Sequence, residues 1–109
     1  MAPSKSLIVS DDADADIDSI LLWTLENFGS RQANAYNERI AATLEILTSD
    51  PFPAISKNRE QDIGPGYRSL HLGRRSRHLL LYRVEAERIL IVRILHDSME
   101  LSRHLPREE

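Results

Sequence analysis

The spacing of apolar residues changes character along the chain. Ile17, Ile20, Leu21, Thr24, Leu25 and Phe28 recur as one face of an α-helix. Gly29 suits the left-handed turn that ends such a helix. Ser30 is placed to cap a second helix, whose stripe is Ala33, Tyr36, Ile40, Leu44 and Leu47. Asp50-Pro51 stops it, because proline cannot continue the hydrogen-bond ladder. Two helices joined at Gly29-Ser30 form an antiparallel hairpin. Leu22 and Trp23 fall off the first stripe. Trp23 then either packs at the edge of the core or anchors a partner.

Beyond residue 66 the periodicity becomes that of strands, over 67–72, 77–84 and 89–96. The run Ile89-Leu90-Ile91-Val92-Arg93-Ile94-Leu95 is apolar on both faces apart from Arg93, the mark of a central buried strand. The first two strands are joined by the basic turn Gly73-Arg74-Arg75-Ser76. An even turn centred on Ala86-Glu87 joins the last two, pairing Val84 with Ile89, Tyr82 with Ile91, Leu80 with Arg93, and Arg77 with His96. That register sets Arg93 beside Leu80 and Tyr82, and puts Arg83, Leu90, Val92, Ile94 and His96 on the opposite face. Leu7-Ile8-Val9 predicts a short first strand. Residues 51–66, rich in proline and ending Gly-Pro-Gly, read as an irregular connection. Met99, Leu101 and Leu105 predict a short terminal helix or tail packed on the sheet. Residues 1–5 and 106–109 are expected to fray. The class is therefore α+β: a short N-terminal strand, a helical hairpin on a three- to four-stranded antiparallel sheet, and a tail.

The run Asp11 to Asp18 holds five carboxylates in eight residues. It lacks the central glycine and closing glutamate of a calcium loop, and acidic side chains suit the positive end of a helix dipole. The run reads as a helix start, with no metal ligands. A length of 109 residues with 41% hydrophobic content suits one domain, 1–109, with one modest core. There is no cysteine, which fits a reducing, cytoplasmic setting. No window reaches a membrane span, and the N-terminus does not read as a signal peptide.

The net charge of −3 conceals two poles. Residues 1–56 carry three basic and nine acidic side chains, net −6; residues 57–109 carry eleven and eight, net +3. A phosphate-tracking protein normally has a clear basic excess, so sequence-specific nucleic-acid binding by this chain alone is not expected. No phosphate-cradling glycine loop, nucleophile elbow or zinc-protease helix is present. His71, His78, His96 and His104 are not at ligand spacing, and none is assigned to a metal. No catalytic residue and no cofactor is expected.

Several segments taken in order resemble the ParE toxins of bacterial toxin–antitoxin modules. They are Gly29, Gln32-Ala33 and Tyr36 in the hairpin; Gly66 with Tyr67-Arg68-Ser69; His78-Leu79-Leu80-Leu81-Tyr82-Arg83; Ile91-Val92-Arg93-Ile94-Leu95-His96; and Met99-Glu100 with Arg103-His104-Leu105. Glu100 stands where aspartate is more usual, and the basic turn is longer than usual. The wider superfamily includes RelE-like, ribosome-dependent mRNA interferases. Those enzymes need cations and a general acid around the scissile phosphate. Here Arg68-Ser69-Leu70 replaces their lysine pair, Leu79 lies where an arginine is wanted, Met99 falls near the position of a late arginine, and no tyrosine follows Tyr82.

The resemblance implies a non-enzymatic poison of DNA gyrase in a plasmid-stabilisation module, neutralised by a ParD-like or other short antitoxin. The rival readings are an mRNA interferase and a non-toxic interaction module on the same fold. Candidates for target contact are Arg68, Arg83, Arg93, His96 and Met99. Candidates for the antitoxin groove are Leu22, Trp23, Tyr82, Leu90, Val92, Leu101 and Leu105. A guanidinium inside an apolar strand must find a partner, so Arg83 and Arg93 are also expected to pair with carboxylates such as Glu85 or Asp97.

Overall fold

Ser10 starts the helical hairpin. Its Oγ accepts the Ala13 amide at 3.0 Å, and Asp11, Asp12 and Asp14 occupy the first turn of α1 (Asp11–Phe28). In this computed structural model, which describes residues 5–73, 75–99 and 101–105, the acidic run is thus a helix start. Arg74, Glu100 and the ends 1–4 and 106–109 lie outside the described residues, as do the side chains of Ser102 and His104.

Gly29, with φ 90°, both closes α1 and caps α2 (Ser30–Ser49). Ser30 is therefore the first helical residue and not the cap expected of it, and no side chain caps α2. The stripe of α2 faces inward as its spacing requires, with Ile40 and Leu47 buried. The stripe of α1 does so only as far as Thr24. Leu25 and Phe28, expected in the core, are exposed, and Phe28 meets Trp23 edge-on with ring centroids 5.6 Å apart.

The hairpin packs on a mixed five-stranded sheet: β1 (Ser6–Val9), β2 (Lys57–Asn58), β3 (Tyr67–His71), β4 (His78–Val84) and β5 (Arg88–His96), in the order β1-β5-β4-β3-β2. β1 runs parallel to β5, and the other pairs are antiparallel. The sheet is thus wider than the three or four strands expected. Its extra edge, β2, falls inside the segment read as irregular. Lys5, expected to fray, is anchored: its amide donates to Thr48 O, and its Nζ to the carbonyls of Glu85 and Ala86.

The β4–β5 turn pairs Val84 with Ile89 and Tyr82 with Ile91, as the even turn requires. The register then slips by one residue, and Leu81 stands across from Arg93, Leu80 from Ile94, and His78 from His96. The extra residue is Val92, a β-bulge whose carbonyl accepts the Ser10 hydroxyl at 2.8 Å. The slip corrects the expected faces. Ile94 joins Leu80 and Tyr82 beneath the hairpin and Leu95 joins Leu79 and Leu81 on the far side, where Val92 and Leu90 lie as expected.

Each face has its own core. Ala13, Ile40, Leu47, Leu70, Leu80, Tyr82, Ile89, Ile91 and Ile94 pack between sheet and hairpin. On the other face, Tyr67, Leu79, Leu81, Val92 and Leu95 are closed over by Leu101 of a terminal 3-10 turn (Leu101–His104), with Ile63 and Leu105 alongside. Each leucine, isoleucine or valine side chain removed from water contributes about 1.5–3 kcal/mol.

Candidate functional site

β5 leaves β1 behind at Ile91, and the start of α1 takes over its open edge. Asp16 Oδ2 accepts Arg93 Nε at 2.7 Å and the Ile94 amide at 2.9 Å; Oδ1 accepts Arg93 Nη2 at 2.8 Å. Arg93 is thus an ion-paired residue, but its partner is Asp16 and not Glu85 or Asp97. The Asp16 hydrogen bond holds the guanidinium pKa above its ordinary value against the opposing effect of burial.

Beside this pair lies a cavity of about 220 Å³ that brings Arg93, His96 and Met99 together with Asp16 and His78. His78 and His96 sit across from each other on the two strands, ring centroids 6.0 Å apart. His78 Nδ1 lies 2.8 Å from Tyr36 Oη, which is 2.7 Å from Ser76 Oγ. His96 Nδ1 lies 2.7 Å from Ser98 Oγ. Burial, then repulsion by His96, pushes the pKa of His78 below its usual 6.5, which favours the neutral imidazole. Burial likewise pushes the Tyr36 hydroxyl upward.

The other two target candidates lie elsewhere. Arg68 is engaged by its own chain: Nε and Nη2 donate to Ser56 Oγ at 2.9 and 2.8 Å, and its guanidinium sits 5.2 Å over the Phe52 ring. Arg83 pairs with Glu85 and lies 5.8 Å over the Tyr67 ring. The Glu85 hydrogen bond raises its pKa.

The antitoxin candidates divide by exposure. Leu22 and Trp23 are 56% and 55% exposed on the outside of α1, continuous with Leu25 and Phe28, which the pattern had assigned to the core. Leu90 and Leu105 are half-buried on the far face. Tyr82, Val92 and Leu101 are buried and present no docking surface here. Tyr82 donates its hydroxyl to the Pro51 carbonyl at 2.9 Å, and Leu101 itself covers the face expected to be an open groove. Among the described residues, no three histidine or carboxylate side chains are grouped to hold a metal ion, and no helix is long and apolar enough to cross a membrane.

Residues 7–101 match the family model described as the ParE toxin of type II toxin-antitoxin system, parDE. The chain belongs to the ParE toxin family. Among its relatives, toxin ParE1 of Caulobacter vibrioides is 32% identical over 93 residues, covering 85% of this chain and 90% of that protein. Toxin ParE1 of Mycobacterium tuberculosis is 31% identical over 103 residues, covering 94% and 99%. A solved structure titled as the chromosomal ParDE TA system from P. aeruginosa superposes with a TM-score of 0.70 at 25% identity, covering 85% of this chain and 96% of that one. The ParE-like hairpin and sheet expected from the sequence are thus the fold of the family, and the chain is a ParE toxin of a type II toxin–antitoxin system.

Proposed function

We propose that this ParE toxin acts as a binding poison of DNA gyrase in the cytoplasm, and that a cognate antitoxin neutralises it. The observation that carries this over mRNA cleavage is the far face of the sheet. Leu79, which stands where the interferase pattern wants an arginine, is buried there with Leu81, Val92 and Leu95, and Leu101 covers it, so no cation or general acid is presented at that position. Arg68, the one cation retained from the interferase pattern, is occupied by Ser56 and Phe52.

The antitoxin surface we assign to the outside of α1. Leu22, Trp23, Leu25 and Phe28 form an exposed apolar patch that an amphipathic segment folding on contact would cover. The cavity holding Arg93, His96 and Met99 is the remaining place for target contact. Purified protein assayed in parallel for inhibition of gyrase supercoiling and for cleavage of ribosome-bound mRNA tests the reading. Inhibition without cleavage is expected; cleavage with no effect on gyrase overturns it.

A further inference from the structure

The β3–β4 turn and the loop before β2 border a second cavity, of about 580 Å³, on which Ile55, His71, Arg75, Arg77 and Asp97 converge. Its charges do not balance. Asp97 Oδ1 accepts Arg77 Nε at 3.1 Å, and Oδ2 lies 3.4 Å from His71 Nε2, so one carboxylate serves both. Arg75 is exposed and has no ion-pair partner among the described residues. The Arg77 side chain remains 70% exposed. At the rim stands Ile55, 81% exposed, the most exposed large apolar side chain among the described residues. Surplus arginine charge beside a bare aliphatic side chain is the complement of a segment carrying carboxylates next to an apolar residue.

We propose that this cavity docks a short acidic segment of a partner protein, with carboxylates against Arg75 and Arg77 and an apolar side chain against Ile55. Nucleic acid fits it less well. The Asp97 carboxylate stands inside the cavity, His71 is the one ring among its described lining residues and no Phe, Tyr or Trp joins it for base stacking, and the chain carries net −3. The inference rests on the cavity and its charges and does not depend on gyrase being the target.

The full chain, immobilised, is panned against a random dodecapeptide display library. Enriched peptides are then titrated by fluorescence anisotropy against the wild type, R75E, R75E/R77E and I55S. Peptides pairing Asp or Glu with an apolar residue are expected. R75E/R77E should weaken them by about tenfold or more, and added salt should weaken them further, as for charges at an interface rim. I55S should weaken them less. R75E leaves the Arg77–Asp97 contact in place, so it reports the charge effect with that contact intact, and circular dichroism confirms folding of each variant. Neutral or basic peptides, peptides indifferent to the arginines, or no enrichment would each overturn the proposal. So would an oligothymidylate that binds more tightly than the peptides and is lost in R75E/R77E.

Discussion

Asp16 and Arg93, 77 residues apart in sequence, are joined by hydrogen bonds of 2.7 and 2.8 Å, and the same carboxylate accepts the Ile94 amide. One side chain of α1 thereby neutralises the cation embedded in β5 and satisfies a donor on the edge that β1 leaves open. Both partners are largely shielded, with side chains 15% and 22% exposed. Removing one takes this ion pair from the other in a poorly solvated site.

Arg93→Ala should therefore destabilise the fold by about 2 kcal/mol, and Asp16→Ala by somewhat more because the Ile94 amide also loses its acceptor. Urea unfolding of the two single variants and the double variant checks this. The double variant should lose less than the sum of the singles, and strict additivity would show that the pair is not coupled.

Gly66 should not tolerate a side chain. Its φ is +81°, and a Cβ there would lie 2.8 Å from the Val84 carbonyl oxygen. Its carbonyl accepts the Val84 amide and its own amide donates to Glu60, so the backbone has little freedom to yield. Gly66→Ala is expected to cost about 2 kcal/mol or more, lowering Tm by roughly 10 °C.

Stability should depend on pH through His78. Its folded pKa lies below 6.5, chiefly through burial and then His96, with Asp97 pulling the other way. As pH falls below 6.5 the unfolded chain takes up the proton first. The contribution of His78 is therefore full above 6.5 and declines as pH drops toward the folded value. Unfolding midpoints measured across that range should fall on acidification, and His78→Gln should flatten the decline. An unchanged slope in the variant would assign the pH dependence to other groups.

Much of this was legible in the chain because it depends on local periodicity. The stripes of α2 and the first part of α1, the three long strands and the turn at Ala86-Glu87 follow from neighbours a few residues apart. β2 was not legible, since Lys57–Asn58 is too short to show a pattern and is defined only by pairing with Arg68 and Ser69. The bulge at Val92 is fixed by Ser10, 82 residues away, and it inverted the expected face of Ile94. That Arg93 needed a carboxylate could be read from its apolar surroundings; which carboxylate could not. Tyr82 looked available as a strand tyrosine, but its ring is buried and the Pro51 carbonyl accepts its hydroxyl. The basic turn was plain in the sequence, whereas its meeting with Ile55 is a product of the fold.

Trp23→Ala separates stability from binding. The side chain is 55% exposed, so unfolding free energy should change by no more than about 0.5 kcal/mol. Antitoxin affinity measured by calorimetry should fall about tenfold or more, as for an aromatic anchor. Normal antitoxin binding would remove Trp23 from that surface.

Trapping of cleaved DNA separates a gyrase poison from an mRNA interferase in one experiment. Gyrase, supercoiled plasmid and ATP are incubated with increasing amounts of the purified protein, then denatured, and linear DNA is measured. Linear DNA should accumulate with dose and disappear when the cognate antitoxin is added first, while ribosome-bound mRNA in a parallel reaction stays intact. No linear DNA, with the mRNA cut, would contradict action on gyrase.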